Sequence, residues 1–249
     1  MKAAGIIPAR YQSTRLPGKV LLPLNGFPML YHVYQRAQRC RELRRVIVAT
    51  DSPEISAVCD QYGMNVVMTS PEHTSGTDRV AEVAASIEDE LIVNIQADEP
   101  LLKPPVVDWL VVHMCDHPEL PMGTAGSTLF NNGELEDPGV VKVVARDGLA
   151  VAFYRKLPAQ PEPGTLLRHV GLYAYRKDFL ERFTSQAPGK LEQEQRLEQL
   201  RAEVLGASIG IVAAGFHSIG VDTEKDYQLL LKNWHHYNGP EYERVEAAG

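Results

Sequence analysis

The residues best suited to chemistry crowd into one polar segment near the start of the chain, Pro8-Ala9-Arg10-Tyr11-Gln12-Ser13-Thr14-Arg15-Leu16-Pro17-Gly18-Lys19. Arg10, Arg15 and Lys19 supply three cations directly after an apolar run, and Ser13 and Thr14 place hydroxyls between them. Fixed charges, hydroxyls and backbone N–H groups in one loop suit a triphosphate. Gly18 is the segment's only glycine, so the pattern is neither a Walker P-loop nor a GxGxxG fingerprint. Charge spacing alone fits a solvated basic loop equally well.

Two acids could complement these cations. Asp98 stands in Gln96-Ala97-Asp98-Glu99-Pro100, after the apolar run Leu91-Ile92-Val93-Asn94-Ile95. A carboxylate at the end of a buried strand can hold Mg²⁺ at the mouth of a sheet, and it can equally be a helix cap or a loop acid. Asp222 lies in Gly220-Val221-Asp222-Thr223. Thr223 can cap the following helix with Asp226 as its box-like partner, which leaves Asp222 spare, either for a second metal contact or for solvent.

Positioning these groups requires a scaffold, and the hydrophobic pattern supplies one. Residues 3–7, 45–50, 65–68 and 91–95 predict strands, and 29–40, 53–62 and 77–87 predict helices between them. This β-α-β alternation predicts an α/β fold with a doubly wound, mostly parallel sheet and right-handed crossovers. Ligands bind beyond the carboxyl ends of such strands, where the loops at 8–19, 50–53 and 96–100 would lie. In the second half, 122–129, 140–145, 151–154, 169–176 and 209–214 predict strands, and 178–184, 191–205 and 223–234 predict helices, with Gly206 closing the second of these.

The bulk properties narrow the function. A chain of 249 residues, 44% apolar and 23% charged, can bury a core without disulfides or structural metal. Its net charge of −7 argues against nucleic acid or an anionic membrane as partner, so anionic substrates would need a few placed cations. Cys40, Cys59 and Cys115 have no metal-binding spacing and read as free thiols of a reducing compartment. Pro8 and Arg10 come too early for a signal-peptide core, and no apolar run nears the ~20 residues of a membrane span, so a cytoplasmic protein is expected.

The opening Ile-Ile-Pro-Ala-Arg-Tyr-Gln-Ser-Thr-Arg-Leu-Pro-Gly-Lys resembles the 3-deoxy-manno-octulosonate cytidylyltransferase (CMP-Kdo synthetase) family. So do Val48–Asp51, His73–Arg79, Gln96–Pro100, Val140–Val144, His169–Tyr175, Leu197–Arg201 and Gly220–Thr223, in order across nearly the whole chain. The resemblance implies a nucleotide-diphospho-sugar transferase-like fold with a smaller dimerisation subdomain, and a homodimer. It divides the single domain 1–249 into a nucleotide-binding half, roughly 1–120, and a sugar-binding and dimerisation half, roughly 121–249. It implies that Arg10, Ser13, Arg15 and Lys19 grip the phosphates of CTP and that Ser75, Gly76, Thr77 and Arg79 help seat the nucleotide. Asp98 and Asp222 would hold catalytic Mg²⁺. Gln96, His169, Tyr173, Glu198 and Gln199 would contact a 2-keto sugar acid, with Arg155 aimed at its carboxylate. The products would be the CMP-sugar and pyrophosphate, for lipopolysaccharide biosynthesis.

Other readings of these residues stand beside the resemblance. His169 and Tyr173 could simply pack one face of a strand, and Glu198 could be a solvated acid paired with Arg201. The chain departs from the family in having Ala97 where Gly is usual, in its Tyr154-Arg155-Lys156-Leu157-Pro158 stretch, and in a shorter loop before His169. The last two departures touch the sugar side, which leaves an amino-substituted Kdo or a sialic-acid-like substrate as alternatives. A non-catalytic nucleotide-binding relative is the alternative of another class, but a mere binder need not keep two metal acids.

Overall fold

The computed structural model describes residues 3–13, 15–239, 242 and 244–247. Strands β1 (Ala3–Ala9), β4 (Leu43–Thr50), β5 (Val66–Met68) and β6 (Leu91–Asn94) pair in parallel in the order β5-β4-β1-β6. A two-strand ribbon, β2 (Pro23–Leu24) with β3 (Phe27–Pro28), follows β1. Strands β1 and β6, and β4 from Val46 on, are nearly continuous apolar runs because both their faces are covered, whereas β5 lies at the exposed edge. Side chains alternate between those faces: Ala3 and Ile7 join one buried cluster, Ala4 and Ile6 the other. Helices α1 (Met29–Ala37), α2 (Pro53–Gln61) and α4 (Pro104–Asp116) close the first face. Helices α3 (Gly76–Ala85) and α5 (Lys177–Ser185) close the second.

The parallel run stops at β6. The long strand β10 (Thr165–Arg176) pairs antiparallel with β6, with β7 (Met122–Ser127) and with β8 (Lys142–Arg146). Strand β9 (Leu149–Tyr154) is antiparallel to β8, β11 (Ile209–Gly215) runs parallel to β7, and β12 (Glu246–Ala247) closes that edge. The sheet is therefore mixed, which corrects the expectation of a mostly parallel one. The physical reason is the 142–176 region, where strands follow one another without crossover helices and so must turn back.

Two further differences concern helices. The expected helix at 191–205 is broken into α6 (Lys190–Gln195), a 3₁₀ turn at Glu198–Leu200 and α7 (Arg201–Val204). Arg196 takes a left-handed conformation at the break, φ 54°, and the turn it makes carries Leu197 and Leu200 into the core. Helix α4 fills a stretch the pattern left unassigned. The last helix, α8 (Glu224–Tyr237), is capped as expected: Thr223 Oγ1 accepts from Asp226 N–H, and the Asp226 carboxylate accepts from Thr223 N–H. Among the described residues no helix is long and apolar enough to cross a membrane. Burial pushes the thiols of Cys40 and Cys59 up to about 12 and about 11, so neither is a reactive thiolate.

Candidate active site

Beyond the carboxyl ends of β1 and β6 lies an open cleft of ≈ 360 Å³. Arg10, Ser13, Arg15 and Lys19 line one wall, Gln96, Ala97 and Asp98 the floor, and Gly76 and Asp222 the far sides. Thr14, the other hydroxyl expected in this loop, lies outside the described residues. The loop is folded rather than free. Gly18, at φ 67°, takes the left-handed conformation that lets its N–H donate to Tyr11 O at 2.8 Å, and a 3₁₀ turn then buries Val20. That anchored turn delivers the Lys19 side chain to the acids.

Lys19 Nζ lies 2.6 Å from Asp98 Oδ2 and 2.9 Å from both Asp222 Oδ1 and Val221 O. Arg15 Nη2 meets the same Asp222 oxygen at 2.8 Å. Burial alone would lower the Lys19 pKa, but the two carboxylates outweigh it and hold the ammonium above its ordinary value. Asp98 and Asp222 thus converge on a single cation. On the opposite side α3 begins beside the cleft. Gly76 touches Pro8 so closely that a Cβ would come to 3.3 Å of the proline ring. The partial positive charge of this helix start favours an anion there.

A chain of polar side chains leads from the floor into the second half. Gln96 Nε2 donates to Asn94 Oδ1 at 3.4 Å, Asn94 Nδ2 to Thr77 Oγ1 at 3.5 Å, and Thr77 Oγ1 to Glu198 Oε2 at 2.6 Å. Burial raises the Glu198 carboxyl above its ordinary value, against hydrogen bonds from Thr77 and Ser75 and the charge of Arg201. Glu198 Oε1 has no hydrogen-bond partner among the described residues. Tyr173 pairs with Asn94 across β10 and β6, and its ring lies 5.5 Å from that of His169. Burial, then the Glu198 charge, pushes the Tyr173 hydroxyl far above its usual range. Burial beside Arg168 pushes His169 down to about 3, so its imidazole is neutral. Thr124 Oγ1 donates to Leu172 O at 2.9 Å, which leaves His169 Nε2–H to donate to that hydroxyl at 3.1 Å.

Four expected site residues stand elsewhere, each for a visible reason. Ser75 caps α3: its Oγ accepts from Asp78 N–H at 3.0 Å, and Asp78 returns the bond to Ser75 N–H at 2.9 Å. Arg79 is 1% exposed and ties α3 to the ends of β4 and β5 through Asp51 at 3.2 Å and Thr69 at 2.5 Å. Its guanidinium is buried at the strand ends rather than lining the cleft, where a nucleotide contact was expected. Gln199 is 4% exposed and borders a groove with Arg146, Phe153 and Leu200 instead of the cleft. Arg155 is the fourth. It donates to Gln195 O at 2.6 Å, Arg196 O at 2.9 Å and Pro138 O at 3.2 Å. Its fork, expected for a substrate carboxylate, instead bonds the Gln195 and Arg196 carbonyls freed where α6 ends, and the carbonyl of Pro138.

Other functional residues escape the sequence reading. Asn94 is the one polar residue inside an otherwise apolar run, a signal that could have found it. Thr124 has no such signal, since it lies among small residues of β7. Glu99 adjoins a recognised acid but faces away from the cleft, toward Ser218.

Comparison with known proteins agrees with this geometry. Residues 4–211 match the family described as cytidylyltransferase. The 3-deoxy-manno-octulosonate cytidylyltransferase of Geobacter sulfurreducens is 42% identical over 247 residues, covering 93% of this chain and 99% of that one. The 8-amino-3,8-dideoxy-manno-octulosonate cytidylyltransferase of Shewanella baltica is 40% identical over 234 residues, covering 91% and 96%. The structure of CMP:2-keto-3-deoxy-manno-octonic acid synthetase complexed with CTP matches with a TM-score of 0.88 and 37% identity, over 95% of this chain and 99% of that one. The mixed sheet is thus that of nucleotide-diphospho-sugar transferases. By fold, by the cations and acids gathered at the sheet mouth, and by sequence, the chain belongs to the cytidylyltransferase family, alongside the 3-deoxy-manno-octulosonate cytidylyltransferases.

Proposed function

We propose that this nucleotidyltransferase joins CTP to 3-deoxy-manno-octulosonate, giving the CMP-sugar and pyrophosphate for lipopolysaccharide assembly. The observation that carries the reading is the cleft in which Arg10, Arg15 and Lys19 face Asp98 and Asp222, on a chain so similar to a protein solved with CTP. The anomeric hydroxyl attacks the α-phosphorus; the new O–P bond forms as the bond to pyrophosphate breaks, and the hydroxyl proton leaves to solvent. Positioning and charge neutralisation dominate such a transfer. Arg10, Arg15, Lys19 and the Ser13 hydroxyl bind the triphosphate, and Arg15 and Lys19 stabilise charge growing on the departing pyrophosphate.

The acids fit Mg²⁺. Their oxygens already converge on one cation, the Lys19 ammonium, within 2.9 Å. Two carboxylates suit an ion that keeps water and phosphate oxygens as its other ligands. Asp98 and Asp222 would hold it, and when bound it would neutralise phosphate charge and acidify the attacking hydroxyl. Gln96, Tyr173, His169 and Glu198 would orient the sugar, the neutral imidazole and Glu198 Oε1, which faces Arg201 at 3.6 Å but accepts no hydrogen bond among the described residues, meeting hydroxyls. The same reading includes a homodimer formed through the second half, to be checked by sedimentation. A pyrophosphate-release assay with CTP and each sugar tests the function. Release with neither Kdo nor its 8-amino analogue overturns it, and release with the analogue alone reassigns the sugar, as the Shewanella baltica relative would suggest.

A further inference from the structure

The two acids of the cleft ride on different segments, and their spacing depends on what joins those segments. Asp222 ends the 216–222 connection between β11 and α8, and this connection is strapped at several points. Ser127 Oγ donates to Phe216 O at 2.6 Å, and Arg168 Nη2 to Ser218 O at 2.8 Å. Val221 is fully buried beside Leu101, Tyr227 and Leu230. Two straps run directly to the Asp98 segment: Val221 N–H donates to Asp98 O at 2.9 Å, and the Ser218 hydroxyl donates to the carboxylate of Glu99. Gly220 makes room for this second strap, because a Cβ there would stand 3.2 Å from Glu99 Oε1.

We propose that Glu99 and Ser218 are positioning residues whose contact sets the separation of Asp98 and Asp222, and through it the affinity of the cleft for its divalent cation. This rests on the reading of those acids as cation ligands. Neither residue lines the cleft, so each acts through its neighbour: Glu99 through the adjoining Asp98, Ser218 through the connection that leads to Asp222. Groups one step removed from a metal fix the orientation of its ligands, and losing one typically costs about 10- to 100-fold in metal affinity.

The test compares wild type, Ser218→Ala, Ser218→Thr and Glu99→Ala. Pyrophosphate release is titrated with Mg²⁺, and Mn²⁺ binding to the protein with a non-hydrolysable CTP analogue is followed by electron paramagnetic resonance. Ser218→Ala and Glu99→Ala should each raise the half-saturating metal concentration about tenfold and weaken Mn²⁺ binding in parallel. The kcat at saturating metal should change little, and Ser218→Thr, which keeps the hydroxyl, should restore wild-type behaviour. Glu99→Ala decides the matter where Ser218→Ala does not fold. A loss of thermal stability with unshifted metal titrations would reduce the contact to a fold strut and overturn the proposal. Wild-type activity that survives EDTA would instead overturn the cation reading beneath it.

Discussion

Lys19 Nζ stands 2.6 Å from Asp98 Oδ2, one of the acid oxygens proposed above to hold a divalent cation. The side chain is 12% exposed and also bonds Asp222, so in the free protein the ammonium competes for both acids. A triphosphate offers Lys19 and Arg15 a stronger anionic partner and would draw them off. Mg²⁺ alone is therefore expected to bind weakly, and nucleotide should tighten it. Lys19→Met should tighten Mn²⁺ binding to the nucleotide-free protein about tenfold, roughly 1.4 kcal/mol, while turnover collapses. Calorimetry without CTP checks this; equal affinity in both proteins would show that the ammonium is no competitor.

The acids themselves should be indispensable to turnover and dispensable to folding. Asp98→Asn or Asp222→Asn removes one charge from a partly exposed cluster that retains the other acid and the Val221 carbonyl for Lys19. Loss of a metal-bound carboxylate costs several kcal/mol of barrier, or about a thousandfold in rate. Circular dichroism with pyrophosphate release separates the two effects, and near-normal turnover in either folded variant refutes the assignment.

Much of this site was readable from residue types because its chemistry is local. The cations of 10–19 share one loop, and residues 3–7, 46–50 and 91–95 are short, largely apolar runs, the pattern of strands buried on both faces. What escaped depends on distant partners or on missing contrast. Helix α4 buries Val106, Val107, Leu110, Val111 and Met114 on one face, but Trp109, Val112 and Cys115 keep its more exposed side apolar too, so no clear polar stripe marks its period. Arg79 and Arg155 looked like substrate cations, yet their partners are Asp51 and backbone carbonyls that no motif announces. The Glu99–Ser218 contact spans 119 residues of sequence.

Arg155 gives a prediction that follows from its carbonyls. A lysine there can reach one of the three acceptors, so Arg155→Lys should destabilise the 195–197 break by about 1–2 kcal/mol. Because that break leads into Glu198, the apparent KM for the sugar should rise while that for CTP stays unchanged. Faster amide exchange confined to this turn, together with substrate-by-substrate kinetics, reads both effects. An unchanged sugar KM with an unchanged turn would show that the clamp does not shape the sugar side.

The depressed pKa of His169 makes a pH prediction with a definite sign. The unfolded chain binds a proton at this residue near 6.5, whereas the folded protein resists it down to about 3. Between those values the unfolded state carries more protons, so stability rises with pH across the window and falls on acidification. The contribution is fully present above about pH 6.5 and should shrink by about 1–2 kcal/mol between pH 7 and pH 5. His169→Gln keeps an amide donor for the Thr124 hydroxyl and removes the titration, so its urea midpoint should fall less than that of wild type over the same interval. The comparison must be made between the two proteins at each pH, because the carboxylates titrate in both. Parallel curves would mean that His169 protonates in the folded protein without penalty, and so that its ring already reaches solvent or an acid when the sugar is absent.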